Sequence, residues 1–174
     1  TKLVTDLSCY QLEDYLLIEI FEILQTPIRE QIKRQGITEA SEIQKLAIQP
    51  ILEKNNVLLI APTGTGKTLA ATLPIFNLYL SAKKLNPILG ISILYITPLR
   101  ALNRDILRRL IEIGKELGLD VQVRHGDTPT SARTKQAKKP PDMMITTPET
   151  LQAILPGKRM KEHLKNVKWL VVDE

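Results

Sequence analysis

Cysteine is nearly absent from this 174-residue chain: Cys9 stands alone, so no disulfide can close within it. One cysteine with two histidines also gives no zinc-type spacing. Aromatic residues make up only 4%, too few for a surface that works mainly by stacking rings on planar ligands. No apolar run approaches the roughly 18 residues of a membrane span, and the first residues lack a basic-then-apolar leader pattern. A soluble, intracellular protein with no membrane partner is therefore expected. Repeats and low-complexity tracts are missing as well, which excludes solenoids and compositionally biased tails.

What is present is globular composition, 43% apolar and 25% charged, enough for one ordinary domain with a sizeable core. The net charge of +5 is unevenly spread. Residues 1–96 hold 9 basic and 9 acidic groups, residues 97–139 hold 10 against 5, and residues 140–174 hold 5 of each. The middle stretch thus carries the whole excess. A polyanionic partner would account for it, and so would a solvated, lysine-rich surface.

From Val57 onward, apolar runs of strand length alternate with longer stretches of helical period. Strands are expected at Val57–Ala61, Ile91–Thr97, Val121–Arg124, Met143–Thr146 and Trp169–Asp173. Helices are expected near Lys67–Leu80, Leu99–Leu117, Ser131–Lys138 and Pro148–Leu155. In the second of these, Leu99, Leu102, Ile106, Leu110, Ile113 and Leu117 recur every three or four residues and predict one buried stripe. Strand-helix alternation predicts an α/β fold with a parallel sheet covered on both faces. A helical preface precedes it. Thr26 is expected as N-cap with Pro27 at the first helical position and Gly36 as terminator, and a second helix starts near Ala40 and is ended or kinked by Pro50. Residues 1–25, with Tyr10, Tyr15 and Phe21, read as helical.

The segment Ala61-Pro62-Thr63-Gly64-Thr65-Gly66-Lys67-Thr68 follows an apolar run and opens a helix, the setting a phosphate-binding loop requires. Gly64 and Gly66 allow backbone N–H groups to converge on phosphate oxygens, and the helix start adds its positive dipole end. Thr63, Gly64, Thr65, Gly66, Lys67 and Thr68 are the candidate nucleotide ligands, with Lys67 reaching the β- and γ-phosphates and Thr68 offering its hydroxyl to Mg²⁺. Ala61 stands where the strict pattern has Gly, a small departure at the start of the loop. The competing reading is a glycine-rich helix cap with Lys67 and Thr68 adjacent by chance. The run Trp169-Leu170-Val171-Val172-Asp173-Glu174 ends in two carboxylates, where a P-loop enzyme carries a metal ligand, Asp173, and a water-activating acid, Glu174. Because no helix follows that pair, the sequence reads as a fragment.

Taken in order, Ala61–Thr68, Thr97-Pro98-Leu99-Arg100-Ala101-Leu102-Asn103, Arg124-His125-Gly126-Asp127-Thr128, Ile145-Thr146-Thr147-Pro148-Glu149-Thr150-Leu151 and Val171–Glu174 resemble the motifs of superfamily-two DNA and RNA helicases. Their wording is most similar to the large helicase-related proteins of archaea and bacteria. The resemblance implies a RecA-like first motor domain over residues 36–174, incomplete at its C-terminus, behind a helical segment over residues 1–35. It implies ATP and Mg²⁺ as cofactors and ATP-driven movement along, or opening of, nucleic acid. A cytoplasmic or nucleoid-associated location goes with it.

Residue by residue, the resemblance makes Gln44 the reader of adenine, with Phe21 a candidate for stacking on the base; Ala40 stands where the family usually has Pro. Thr97, Pro98, Arg100, Thr147, Pro148 and Glu149 fall in motifs that meet the sugar-phosphate backbone. Arg104 and Arg108 extend Arg100 into a stripe on one helical face, unless Asp105 and Glu112 pair with them on a solvated surface. A second motor domain of the same parent chain would supply an arginine finger, so this piece alone is expected to bind ATP with little turnover. Two other classes stay open: a P-loop ATPase or kinase indifferent to nucleic acid, and a binding or protein-interaction module.

Overall fold

The computed structural model describes residues 20–98 and 104–173, with Arg104 described by its backbone only. The chain divides into two compact units, one up to Ser81 and one from Ala82.

The first unit is helical. A 3-10 turn at Ile20–Ile23 leads into α1 (Thr26–Arg34), α2 (Glu42–Leu52) and α3 (Lys67–Leu85), the last running on into the second unit. The N-cap of α1 is Gln25, one residue before the expected Thr26, a difference within the usual uncertainty of helix ends. Gln25 anchors that end to α3: its N–H donates to Asn77 Oδ1 at 2.8 Å, and its side-chain amide to Asn77 O at 2.9 Å. Gly36 closes α1 as expected, its N–H donating to Lys33 O at 3.0 Å. Pro50 does not end α2; it sits in the last turn, and the helix continues to Leu52 with Glu53 N–H donating to Gln49 O. So near a helix end the proline removes one intrahelical bond without breaking the element. Buried side chains surround α3 on most sides, with Leu69, Leu73, Ile75, Phe76 and Tyr79 all under 9% exposed.

The expected first strand is not formed. Residues 57–61 belong to no helix and no ladder, with Leu58 68% and Ile60 83% exposed. A strand exists by pairing its N–H and C=O groups with a neighbour, and the first unit has no other strand among its described residues.

The second unit is a four-stranded parallel sheet of order β2-β3-β1-β4, with β1 Ile93–Ile96, β2 Val121–Arg124, β3 Met143–Thr146 and β4 Trp169–Val172. Four expected strands are therefore found, two with the expected limits. The connections are helical: α4 (Arg104–Glu116) between β1 and β2, α5 (Thr130–Lys138) between β2 and β3, and α6 (Pro148–Ile154) with α7 (Lys158–Leu164) between β3 and β4. Ile91, Leu94, Met144, Ile154 and Met160 form a buried cluster on one face, joined by Ile96, Ala137, Leu151, Leu164 and Val167. α4 packs so closely beside β2 that a Cβ on Gly114 would lie 2.3 Å from Val121 Cγ2. Its buried stripe is shorter than expected. Leu110, Ile113 and Leu117 are buried, but Ile106 is 40% exposed, and Leu99 and Leu102 lie outside the described residues.

Candidate functional site

The candidate phosphate loop lies in the first unit, and its two glycines take the backbone shape that motivated them: Gly64 has φ 80° and Gly66 φ 93°, both in the left-handed region. Thr65 Oγ1 donates to Pro62 O at 2.8 Å and tightens the turn. α3 begins at Lys67, and Ala70 N–H donates to Gly66 O at 2.9 Å, so the amides of Lys67, Thr68 and Leu69 are the first-turn donors that a helix leaves for a ligand. The Lys67 ammonium is folded over the loop, donating to Ala61 O at 2.6 Å and Pro62 O at 2.9 Å. Thr63 and Gly64 are exposed, while Thr65, Gly66, Lys67 and Thr68 are half-buried.

Gln44 joins this loop. It occupies the third position of α2, where its Oε1 accepts from Ser41 N–H at 3.0 Å. Its amide nitrogen lies where a Cβ on Gly66 would meet it at 2.7 Å. A side chain at 66 would thus meet both an unfavourable φ and the Gln44 amide, which would have to move aside. Gln44 is 4% exposed and Phe21 9%, so both sit within the first unit's packing and neither projects into solvent.

In the second unit, several candidate residues fall at one edge of the sheet because parallel strands end together. Thr97 and Pro98 follow β1, Thr147 follows β3 and Asp173 follows β4. The ladder continues one step past the strands, with Thr97 N–H donating to Thr146 O at 3.0 Å and Asp173 N–H to Ile96 O at 2.8 Å. Ligands of parallel sheets bind beyond this carboxyl edge. Asp173 is half-buried, and the phenol of Tyr95, 3% exposed, donates to its Oδ2 at 2.5 Å.

The threonine side chains do not project from that edge. Thr97 is 3% exposed, and its hydroxyl has no hydrogen-bond partner among the described residues. Thr147, also 3% exposed, is the N-cap of α6 and accepts from Thr150 N–H at 3.3 Å. Pro148 and Glu149 are exposed and Pro98 is half-buried, so these carry the accessible surface of the two motifs. Arg100 and Glu174 lie outside the described residues, as does the Arg104 side chain. Arg108 is exposed and stands 3.7 Å from Asp105 and 3.9 Å from Glu112, the pairing foreseen for a solvated face.

Two contributors escaped the sequence reading. Arg133 braces the Arg124–Thr128 motif: its Nε donates to Thr128 O at 2.7 Å and its terminal nitrogen to Gly126 O. Inside the turn, His125 N–H donates to Thr128 Oγ1 at 2.9 Å and Thr128 N–H to His125 O at 3.0 Å. Burial, then the neighbouring Arg133 charge, lowers the Arg124 pKa below the usual arginine value. One of the ten basic groups in residues 97–139, Arg133, is therefore engaged in holding a turn. Tyr95 is the second contributor; its only sequence signal was a polar-tipped aromatic two residues before Thr97.

A model of the DEAD/DEAH box helicase family matches residues 41–174. The ATP-dependent helicase Lhr-Core of Methanocaldococcus jannaschii is 39% identical over 178 residues, covering 95% of this chain and 21% of that protein. Among solved structures, the Mycobacterium smegmatis helicase Lhr bound to ssDNA and AMP-PNP superposes with a TM-score of 0.71 at 33% identity, over 90% of this chain and 21% of that one. The DEAD-box helicase Mss116 bound to ssRNA and UDP-BeF superposes with a TM-score of 0.77 at 28% identity, over 87% of this chain and 31% of that one. The chain spans about a fifth of the length of the curated relative.

Proposed function

The chain belongs to the DEAD/DEAH box helicase family, and we propose that it is the ATP- and nucleic-acid-binding motor domain of a helicase or translocase that moves along or opens DNA or RNA. The observation that carries the nucleotide half is the loop itself: two glycines in left-handed conformations, a helix opening at Lys67, and an ammonium held over the loop by two carbonyls. That is a cation and a set of amide donors aimed at one place, as a polyphosphate needs.

The same reading calls for Mg²⁺. The described residues contain no group of three or more metal-binding side chains, and Mg²⁺ in nucleotide sites needs none, being held by one or two protein oxygens, water and the phosphates. Thr68 and Asp173 would supply those oxygens. Bound there, the ion would neutralise charge on the transferring phosphate. Glu174 would orient the attacking water, and Gln44, whose amide can donate and accept, would read adenine.

Nucleic acid would be met at the carboxyl edge of the second unit's sheet, by Thr97 and Pro98 after β1 and by Thr147, Pro148 and Glu149 after β3, and the resemblance adds Arg100 and Arg104 from the same stretch of sequence. Two relatives were captured with single strands, one DNA and one RNA, which supports a grip on the sugar-phosphate backbone and leaves both polymers as substrates. A second motor domain would complete the nucleotide site.

The test is ATP hydrolysis by the intact protein with and without single-stranded DNA and RNA. Stimulation by either is expected. Lys67→Ala should lower ATP affinity about tenfold or more, since charge-assisted contacts contribute roughly 1.5–3 kcal/mol. A rate indifferent to both polymers would overturn the helicase reading in favour of a P-loop ATPase or kinase acting elsewhere.

A further inference from the structure

We propose that Tyr95 is a positioning residue for the carboxylate of Asp173, fixing which of its oxygens faces the metal ion. The inference rests on the reading of Asp173 as the Mg²⁺ ligand.

The contact follows from sheet geometry. β1 and β4 are parallel neighbours with Tyr95 opposite Val171, and side chains two residues apart on a strand share a face. Asp173 is therefore the diagonal neighbour of Tyr95 on that face, within reach of an aromatic side chain. The backbone bond from Asp173 N–H to Ile96 O, 2.8 Å, fixes where the residue leaves the sheet. It does not fix the carboxylate, which stands one residue past the end of β4.

The phenol does. Its hydroxyl donates to Asp173 Oδ2. A phenol has one proton to give, so it ties one oxygen and leaves the other for a cation or its water. A tyrosine buried to 3% would pack equally well as phenylalanine, and carrying a hydroxyl into that setting is costly unless it finds a partner. Asp173 is that partner. Hydrogen bonds behind a metal-binding carboxylate set its orientation, and their loss typically costs about 10–100-fold in metal affinity or activity.

The experiment is calorimetric titration of the intact protein with a non-hydrolysable ATP analogue, once in Mg²⁺ and once in EDTA, for wild type, Tyr95→Phe and Asp173→Asn. Tyr95→Phe should lower affinity about 10-fold or more in Mg²⁺ and leave the EDTA value unchanged. A purely structural hydroxyl would depress both values together, and that result overturns the proposal. So does a Tyr95→Phe variant with wild-type Mg²⁺ dependence while Asp173→Asn has lost it, which leaves the metal reading of Asp173 standing. If Asp173→Asn also keeps its Mg²⁺ dependence, the metal assignment fails and takes the inference with it. Should Tyr95→Phe not fold, 3-fluorotyrosine at position 95 replaces it as the probe. Its fluorine resonance must then shift on adding Mg²⁺ to the nucleotide complex, and an unmoved signal overturns the proposal.

Discussion

The two loop glycines differ in one respect that can be measured. At Gly64 a Cβ would meet nothing within 4 Å, so Gly64→Ala carries only the strain of φ 80°, about 1–2 kcal/mol for an L-residue in this region. At Gly66 the strain at φ 93° is similar, and the new methyl would also stand 2.7 Å from Gln44 Nε2 and 3.3 Å from Ser41 Oγ. If Gln44 swings aside it gives up the hydrogen bond that its Oε1 accepts from Ser41 N–H in the cap of α2, a loss of roughly 0.5–2 kcal/mol. Gly66→Ala should therefore destabilise by about 1.5–4 kcal/mol, summing those two contributions. Urea unfolding followed by circular dichroism measures both variants, and calorimetry shows how much of the difference reaches ATP affinity, at about tenfold per 1.4 kcal/mol. The double variant decides the cause. With Gln44→Ala in place the clash is gone, and adding Gly66→Ala should then cost no more than Gly64→Ala does. Equal costs for Gly64→Ala and Gly66→Ala in the otherwise wild-type chain, or no relief in the Gln44→Ala background, would refute the steric argument.

Further outcomes can be checked at single positions. Thr147→Ala removes the cap of α6 and should cost about 0.5–2 kcal/mol in denaturant melts, with Thr147→Ser recovering most of it because the serine oxygen can accept the same amide. Arg108→Ala should change stability by less than about 0.5 kcal/mol, since its two acidic neighbours form only long, exposed pairs with it. If Arg108 instead grips phosphate, the slope of log affinity against log salt for single strands should drop by about one. Arg133→Ala strips two carbonyls of their donor and should speed hydrogen exchange at the Thr128 amide, whose bond to His125 O closes the turn.

The chemistry was more legible in the sequence than the sheet. The loop glycines and the helix starts at Lys67 and Pro148 are local matters: each depends on a handful of consecutive residues, and each lies where the sequence put it. β2 and β3 were also readable to the residue, because short β-branched and apolar runs between turn signals have few other uses. The contacts of Tyr95 and Arg133 were not readable. Tyr95 meets a residue 78 positions away, and the sequence shows only that an aromatic occupies a strand. Arg133 was counted as one positive charge among ten, although its guanidinium is spent on backbone carbonyls, a distinction composition cannot make. The roles that the helicase resemblance lent to Thr97 and Thr147 rest on side chains that prove to be buried.

The run at residues 57–61 marks the limit of reading strands from composition. Its residues have every local property of a strand, yet Leu58 and Ile60 are solvent-exposed and its backbone joins no ladder. Strand propensity describes how well a side chain suits a pleated, half-buried surface, and that surface exists only where a neighbour completes it. The loop that follows keeps its shape without such support. Thr65 Oγ1, the Lys67 ammonium and the first turn of α3 close it from within, and Gln44 packs over Gly66 from α2. The candidate nucleotide loop is thus held by contacts that its own residues and one neighbouring helix provide. That is why its conformation could be anticipated from the sequence even though the strand leading into it could not.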